Sequence, residues 1–189
     1  MTIESAIKSI HAASGSWVRV EETRKTPRGI EIEFGIYRGR RGARIGAWTV
    51  DCLGVREATI TALDGGGLCV YSGTHTAARR YTARKAELRW SGSREKAAVI
   101  GALYQAHIAA VDDWIPFDEI VSEEAIAGSG FVCRGPEFLM RAYARAFRAK
   151  GERTRLILRG SKVKPDRLKV LHFGESYVVA AAFSAQQQK

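Results

Sequence analysis

The sequence predicts an α+β protein in which a mixed or antiparallel sheet carries packed helices. Two patterns carry the prediction: segments alternating apolar and polar residues, paired through turn chemistry at both ends of the chain, and amphipathic helical stretches between them. Apolar content is ordinary for a globular protein, and 189 residues suffice for a core. The chain reads as one domain over 1–189. An N-terminal helix and hairpin cover 1–63, a phosphate-turn segment covers 64–90, and a helical, basic part covers 91–189.

In order, residues 2–14 predict a short helix, with Thr2 as cap and Ile3, Ala6, Ile7 and Ile10 on one face. Trp17–Glu21 and Ile30–Phe34 alternate as half-buried strands around the turn residues Thr26-Pro27-Arg28-Gly29. Arg38-Gly39-Arg40-Arg41-Gly42-Ala43-Arg44 is either a loop touching phosphate, with Arg40 and Arg41 as contacts, or a solvated hairpin tip. Ile45–Leu53 and Ala58–Leu63 read as two more strands. Asp64 to Gly67 is a glycine turn, Leu68–Ser72 a strand, and a helix opens near Thr74 after a break at Gly73.

Ser93 can cap the strongest helix, over 94–112, with a stripe of Ile100, Leu103, Tyr104, His107 and Val111. His107 is either a satisfied core histidine or a catalyst oriented by Asp112 and Asp113. Residues 112–124 hold six acids and no Lys or Arg. They fit either a divalent-cation site or helix-end charge paired with the basic segments. Ala127-Gly128-Ser129-Gly130 is a break. Cys133–Pro136 opens another helix that ends at Gly151, with Leu139, Tyr143, Ala146 and Phe147 on one side and Arg141, Arg145 and Arg148 on another. Arg155–Arg159 is a strand, Leu168–Phe173 and Tyr177–Phe183 a closing hairpin, and Gln186–Lys189 a frayed tail.

Charge narrows the function. The chain carries 30 Lys and Arg against 20 Asp and Glu, a net of +10, which favours a polyanionic partner. From Arg134 to Lys169 there are twelve basic and three acidic residues. Cys52, Cys69 and Cys133 are odd in number and widely spaced, which argues against a disulfide framework or a zinc site. The first residues lack a signal-peptide pattern, and no stretch has the apolar length of a transmembrane segment. The expected location is cytoplasmic, with peripheral contact at the inner membrane open to a basic face. A Cys69–His75 nucleophile is disfavoured because Cys69 sits mid-strand without a third orienting group.

One stretch unites several local signals. A strand that stops at Gly73 and starts a helix leaves backbone N–H groups aimed at one spot, which suits a phosphate, and Arg79 and Arg80 follow one turn later. The pattern Cys69-Val70-Tyr71-Ser72, Gly73-Thr74-His75, Ala77-Ala78-Arg79 resembles the signature of the ParB/sulfiredoxin superfamily, where a G-x-H-R type turn precedes a helix and holds nucleotide phosphates. Ile115–Val121 is similar to that superfamily's I-P-x-D-x-I segment. Thr76 stands where arginine is usual, the I-P-x-D segment follows the turn rather than preceding it, and Thr74 occupies the place of the sulfiredoxin cysteine. Sulfiredoxin chemistry is therefore not implied. Size, motif position and basic character together look most like the plasmid fertility-inhibition proteins of this superfamily, the Osa/FiwA type.

That resemblance implies a ParB/sulfiredoxin-like fold, binding and hydrolysis of ATP, a divalent cation such as Mg²⁺, DNA cleavage, and interference with conjugation through a type IV secretion system. It implies Gly73, Thr74, His75, Arg79 and Arg80 as the nucleotide-binding residues, with His75 and Arg79 catalytic. The residues alone leave three classes open. These are an enzyme of phosphate chemistry, a non-catalytic nucleic-acid-binding module using Arg40, Arg41, Arg141, Arg145 and Arg148, and an inhibitor docking on an acidic protein.

Overall fold

The computed structural model describes residues 1–12, 15–39, 42–61, 66–91, 96–121, 130–160 and 168–188. The fold is α+β, and every strand pairing among these residues is antiparallel. Contacts divide the chain into two compact units, Met1–Ala78 with Asp166–Lys189, and Arg79–Pro165. The first unit draws on both ends of the chain, so the grouping follows contacts rather than chain order.

The first unit contains helix α1 (Ile3–Ala12) and the strands β1 (Ser16–Thr26), β2 (Gly29–Arg38), β3 (Ala43–Leu53), β4 (Glu57–Thr59) and β5 (Leu68–Tyr71). From the end of the chain come three further strands, which for chain order are numbered β9 (Lys169–Phe173), β10 (Ser176–Ala180) and β11 (Ala182–Gln187). They form two four-stranded sheets, in the orders β1-β2-β3-β11 and β4-β10-β9-β5. The predicted N-terminal and closing hairpins are both present. β1 and β2 pair from Ser16↔Arg38 to Thr26↔Gly29 around Pro27 and Arg28.

The two sheets share one bent ribbon. β3 passes into β4 at Gly54 and β10 passes into β11 at Ala181, and these corners touch: the Ala181 N–H donates to the Leu53 carbonyl at 2.9 Å. Gly54 has φ 63°, and an added Cβ there would lie 3.1 Å from the Ala181 methyl, so the corner requires glycine. Turning both strands at one corner lets one sheet fold over the other and seal the apolar faces between them. Val18, Ile32, Phe34, Trp48 and Val50 from the first sheet meet Leu68, Leu171, Phe173 and Val178 from the second. Phe34 and Phe173 pack edge to face at 5.0 Å. α1 adds Ile3, Ala6 and Ile10 to the same core.

The tail differs from the expectation of fraying. Gln186 and Gln187 pair with Thr49 and Trp48, and the Gln188 amide N–H donates to the Ala47 carbonyl at 3.0 Å. Cross-strand pairing to β3 outweighs the polar, low-β character of the glutamines.

The second unit consists of the end of α2 (Thr76–Thr82), then β6 (Lys85–Ser91), α3 (Lys96–Val111), β7 (Gly130–Pro136), α4 (Glu137–Ala149) and β8 (Arg153–Arg159). Its three-stranded sheet has the order β7-β6-β8. Ala86, Leu88 and Trp90 of β6 face the helices and join Val99, Leu103, Leu139, Tyr143 and Phe147 in a single core. α3 stops where Asp112 takes φ 52°, a left-handed helix end, and α4 stops at Gly151 with φ 79°. Pro136 is the residue before α4 rather than its first position, and Cys133–Pro136, expected to open that helix, instead end β7.

Candidate nucleic-acid interface

The helices cover one face of the β7-β6-β8 sheet. The pairing register assigns the side chains of the other face in rows across the three strands. Phe131, Arg89 and Arg155 form one row, and Arg134, Glu87 and Ile157 the next. Lys85 with Arg159, and Ser91 with Arg153, complete it. Directly opposed residues in an antiparallel pair point to the same side, so this face gathers six cations around one carboxylate. Arg89, Arg134, Arg153, Arg155 and Arg159 are all exposed.

A β-bulge sets the phase of the β7 edge. Opposite β6 the register shifts between Leu88 and Arg89, so that Leu88 faces Cys133 and Arg89 faces Phe131. Val132 and Cys133 are consequently both buried, and Phe131 emerges on the basic face, 45 % exposed. Without the extra residue, strict alternation from Arg134 would turn Phe131 inward.

Glu87 lies beneath its neighbours. Its side chain is 4 % exposed while those of Arg134 and Arg159 are 62 % and 55 % exposed. Arg159 donates to Glu87 Oε2 at 3.0 Å, and Arg134 pairs with Oε1. Hydrogen bonds from Arg159 and then Arg134 hold this carboxyl below the usual carboxylate range, so it remains an anion that fixes the two guanidiniums in place. The Lys85 ammonium donates to the Arg80 carbonyl at 3.1 Å. Arg89, Arg153 and Arg155 have no acidic partner among the described residues. An open depression of about 370 Å³ is lined by Arg89, Trp90, Ser91, Arg153, Thr154 and Arg155.

The residues chosen from sequence sit elsewhere. Arg141, Arg145 and Arg148 are exposed on α4, within the layer that covers the sheet's apolar face, and Arg141 pairs with Glu137 at 2.8 Å. Arg40 and Arg41 lie outside the described residues. The sheet-face arginines do not stand out as a group in the sequence because β6 and β7 do not read as strands. The signal present was the alternation Arg153-Thr154-Arg155, which puts both arginines on one side.

At the phosphate-turn stretch, α2 opens at Thr76 rather than near Thr74. The turn engages its own amides. The His75 N–H donates to the Ser72 carbonyl at 3.0 Å, the Thr74 N–H to Ser72 Oγ at 3.4 Å, and the Ala77 N–H to His75 Nδ1 at 3.4 Å. Gly73 is buried and Thr74 exposed. The His75 ring stacks on Tyr71 at 4.6 Å. Burial first, and then nearby His172, lower its pKa and keep it neutral at physiological pH. Arg79 and Arg80 belong to the second unit. Arg79 lies over the Phe138 ring at 4.1 Å, and Arg80 pairs with Glu119.

His107 is a core histidine. The Ile115 carbonyl can only accept, so Nε2 carries the proton at 2.5 Å, and Nδ1 accepts from the Tyr143 hydroxyl at 2.7 Å. These partners replace the expected Asp112 and Asp113, which are both exposed. Burial lowers the His107 pKa. Of the acidic cluster, Glu119 is spent on Arg80, and Glu123 and Glu124 lie outside the described residues. No group of three His, Cys, Asp or Glu converges among the described residues. Burial pushes the Cys52 and Cys133 thiols up to about 12, which leaves them protonated and poorly nucleophilic. No described helix is long and apolar enough to cross a membrane.

No protein-family model, curated protein or solved structure matches the chain.

Proposed function

We propose that the protein binds nucleic acid through the open face of the β7-β6-β8 sheet. The observation that carries this reading is that Arg89, Arg153 and Arg155 are exposed together on that face without an acidic partner among the described residues. Cations held on a rigid sheet meet a phosphodiester chain without the ordering cost of a flexible loop, and each contact releases counterions. The test is fluorescence polarisation with a labelled oligonucleotide across a salt series. The logarithm of the affinity should fall linearly with log[salt], and Arg153→Ala with Arg155→Ala should flatten the slope. A slope unaltered by the double substitution would refute the assignment of the face. Retention of a cellular partner after nuclease digestion would point instead to an acidic protein.

The resemblance supplies a second, narrower reading, a ParB/sulfiredoxin-like protein that hydrolyses ATP, cleaves DNA and inhibits conjugal transfer. Its support is the Gly73-Thr74-His75 motif with Thr74 exposed. In it, Gly73, Thr74, His75, Arg79 and Arg80 hold ATP with a divalent cation such as Mg²⁺. Hydrolysis measured on wild type, His75→Ala and Arg79→Ala tests it: activity lost in both folded variants supports the assignment, and equal rates in all three refute it.

A further inference from the structure

We infer that the ligand of the sheet face is single-stranded nucleic acid, with an unpaired base stacked on Phe131. The inference rests on the assignment of the basic face above and names the class of strand that fits it.

The strongest argument is the position of Phe131. A large aromatic side chain gains free energy by burial, and the adjacent Val132 and Cys133 obtain that burial completely. Phe131 is instead turned outward by the β-bulge opposite Leu88 and Arg89, into a row with Arg89 and Arg155. An aromatic plane beside a row of guanidiniums offers a base its face and the neighbouring phosphates their counter-charge. In a duplex the base faces are occupied by neighbouring bases, so such a plane finds nothing to stack on.

The shape of the surface agrees. The major groove admits a helix or a two-stranded ribbon. This face spans three strands, and its opposite side is covered by α3 and α4, so it offers a platform and not a probe for a groove. Glu87 contributes by holding Arg134 and Arg159 down on the platform, beside the row that contains Phe131.

The test compares a labelled 20-nucleotide thymidine strand, the corresponding uridine strand, a hairpin duplex with the same number of phosphates, and an abasic strand of equal charge, all at one salt concentration. Wild type should bind the thymidine or uridine strand at least about tenfold tighter than the duplex, and the tighter of the two identifies DNA or RNA as the source. Phe131→Ala should weaken single-strand binding roughly 5- to 100-fold. It should leave duplex and abasic binding unchanged, and Phe131→Trp should restore the single-strand affinity. Because Phe131 is exposed, its variants should unfold at the wild-type temperature. Equal affinity for duplex and single strand, or a Phe131→Ala variant that binds single strands like wild type, overturns the inference. If Arg153→Ala with Arg155→Ala weakens binding in that case, the basic face survives and stacking alone fails. If it weakens nothing, the face itself is wrong.

Discussion

The two units use arginine on a sheet surface in opposite ways. On the outer side of β1, β2 and β3, Arg19, Arg24 and Arg44 each have a partner. Arg44 binds Glu21 at 2.6 Å, Arg24 pairs with Glu22 and Glu31, and Arg19 donates to the Tyr37 hydroxyl at 2.6 Å while lying over its ring. On the open side of β6, β7 and β8, one buried carboxylate serves two arginines, and three others face outward unpaired among the described residues. The first arrangement cancels its field within the sheet, and the second projects it. Net charge alone would attribute the same affinity for polyanions to both surfaces; the pairing pattern distinguishes them.

The core difference gives the largest expected effect. Sheet packs on sheet in the first unit, so Phe34→Ala should remove about 3–5 kcal/mol of stability by chemical denaturation. The folded fraction should still bind nucleic acid, and loss of binding without unfolding would break the contrast between the units. Next, Arg153→Glu with Arg155→Glu should lower single-strand affinity about 100-fold at low salt and make the log–log salt slope shallower by roughly 1–2 units, with an unchanged unfolding temperature.

A smaller effect concerns the core of the second unit. His107 has its folded-state pKa lowered from the ordinary 6.5, so as pH falls the unfolded chain takes up the proton first and stability declines below that value. His107→Gln should cost about 1 kcal/mol near pH 8. It should also remove part of the decline toward pH 5, the remainder tracking His75, whose pKa is likewise lowered. An unaltered pH profile in the variant would exclude His107 as its source. The smallest effect belongs to the paired surface: Arg24→Ala should change neither the unfolding temperature nor the salt slope, because its ion pairs are solvent-screened.

Legibility in the sequence followed the range of the interactions. The β1–β2 and β9–β10 hairpins, α1, α3 and α4 were readable, because each depends on alternation, a helical stripe or a turn residue within its own segment. β6 was not. Lys85 to Ser91 follows directly on helical residues and alternates over only seven positions, yet it is the central strand of its sheet. β7 was hidden by its bulge, which places Val132 and Cys133 on the same side and breaks the alternation that identifies a strand. The turn at Gly73 was visible as a motif. That its amides bond within the turn depends on the Ser72 and His75 side-chain rotamers, which no spacing rule specifies.

The sequence by itself determined the α+β class, most elements, the excess of positive charge and its concentration after Arg134, since composition and local periodicity suffice for these. Only the tertiary structure decided which arginines act together. Arg89, Arg134 and Arg155 come from three separate strands, and their common face exists only because the β7-β6-β8 register aligns them and a single bulge turns Phe131 among them. Alternation within one segment tells which side a residue takes, but which residues of other strands lie beside it depends on long-range hydrogen bonding and core burial.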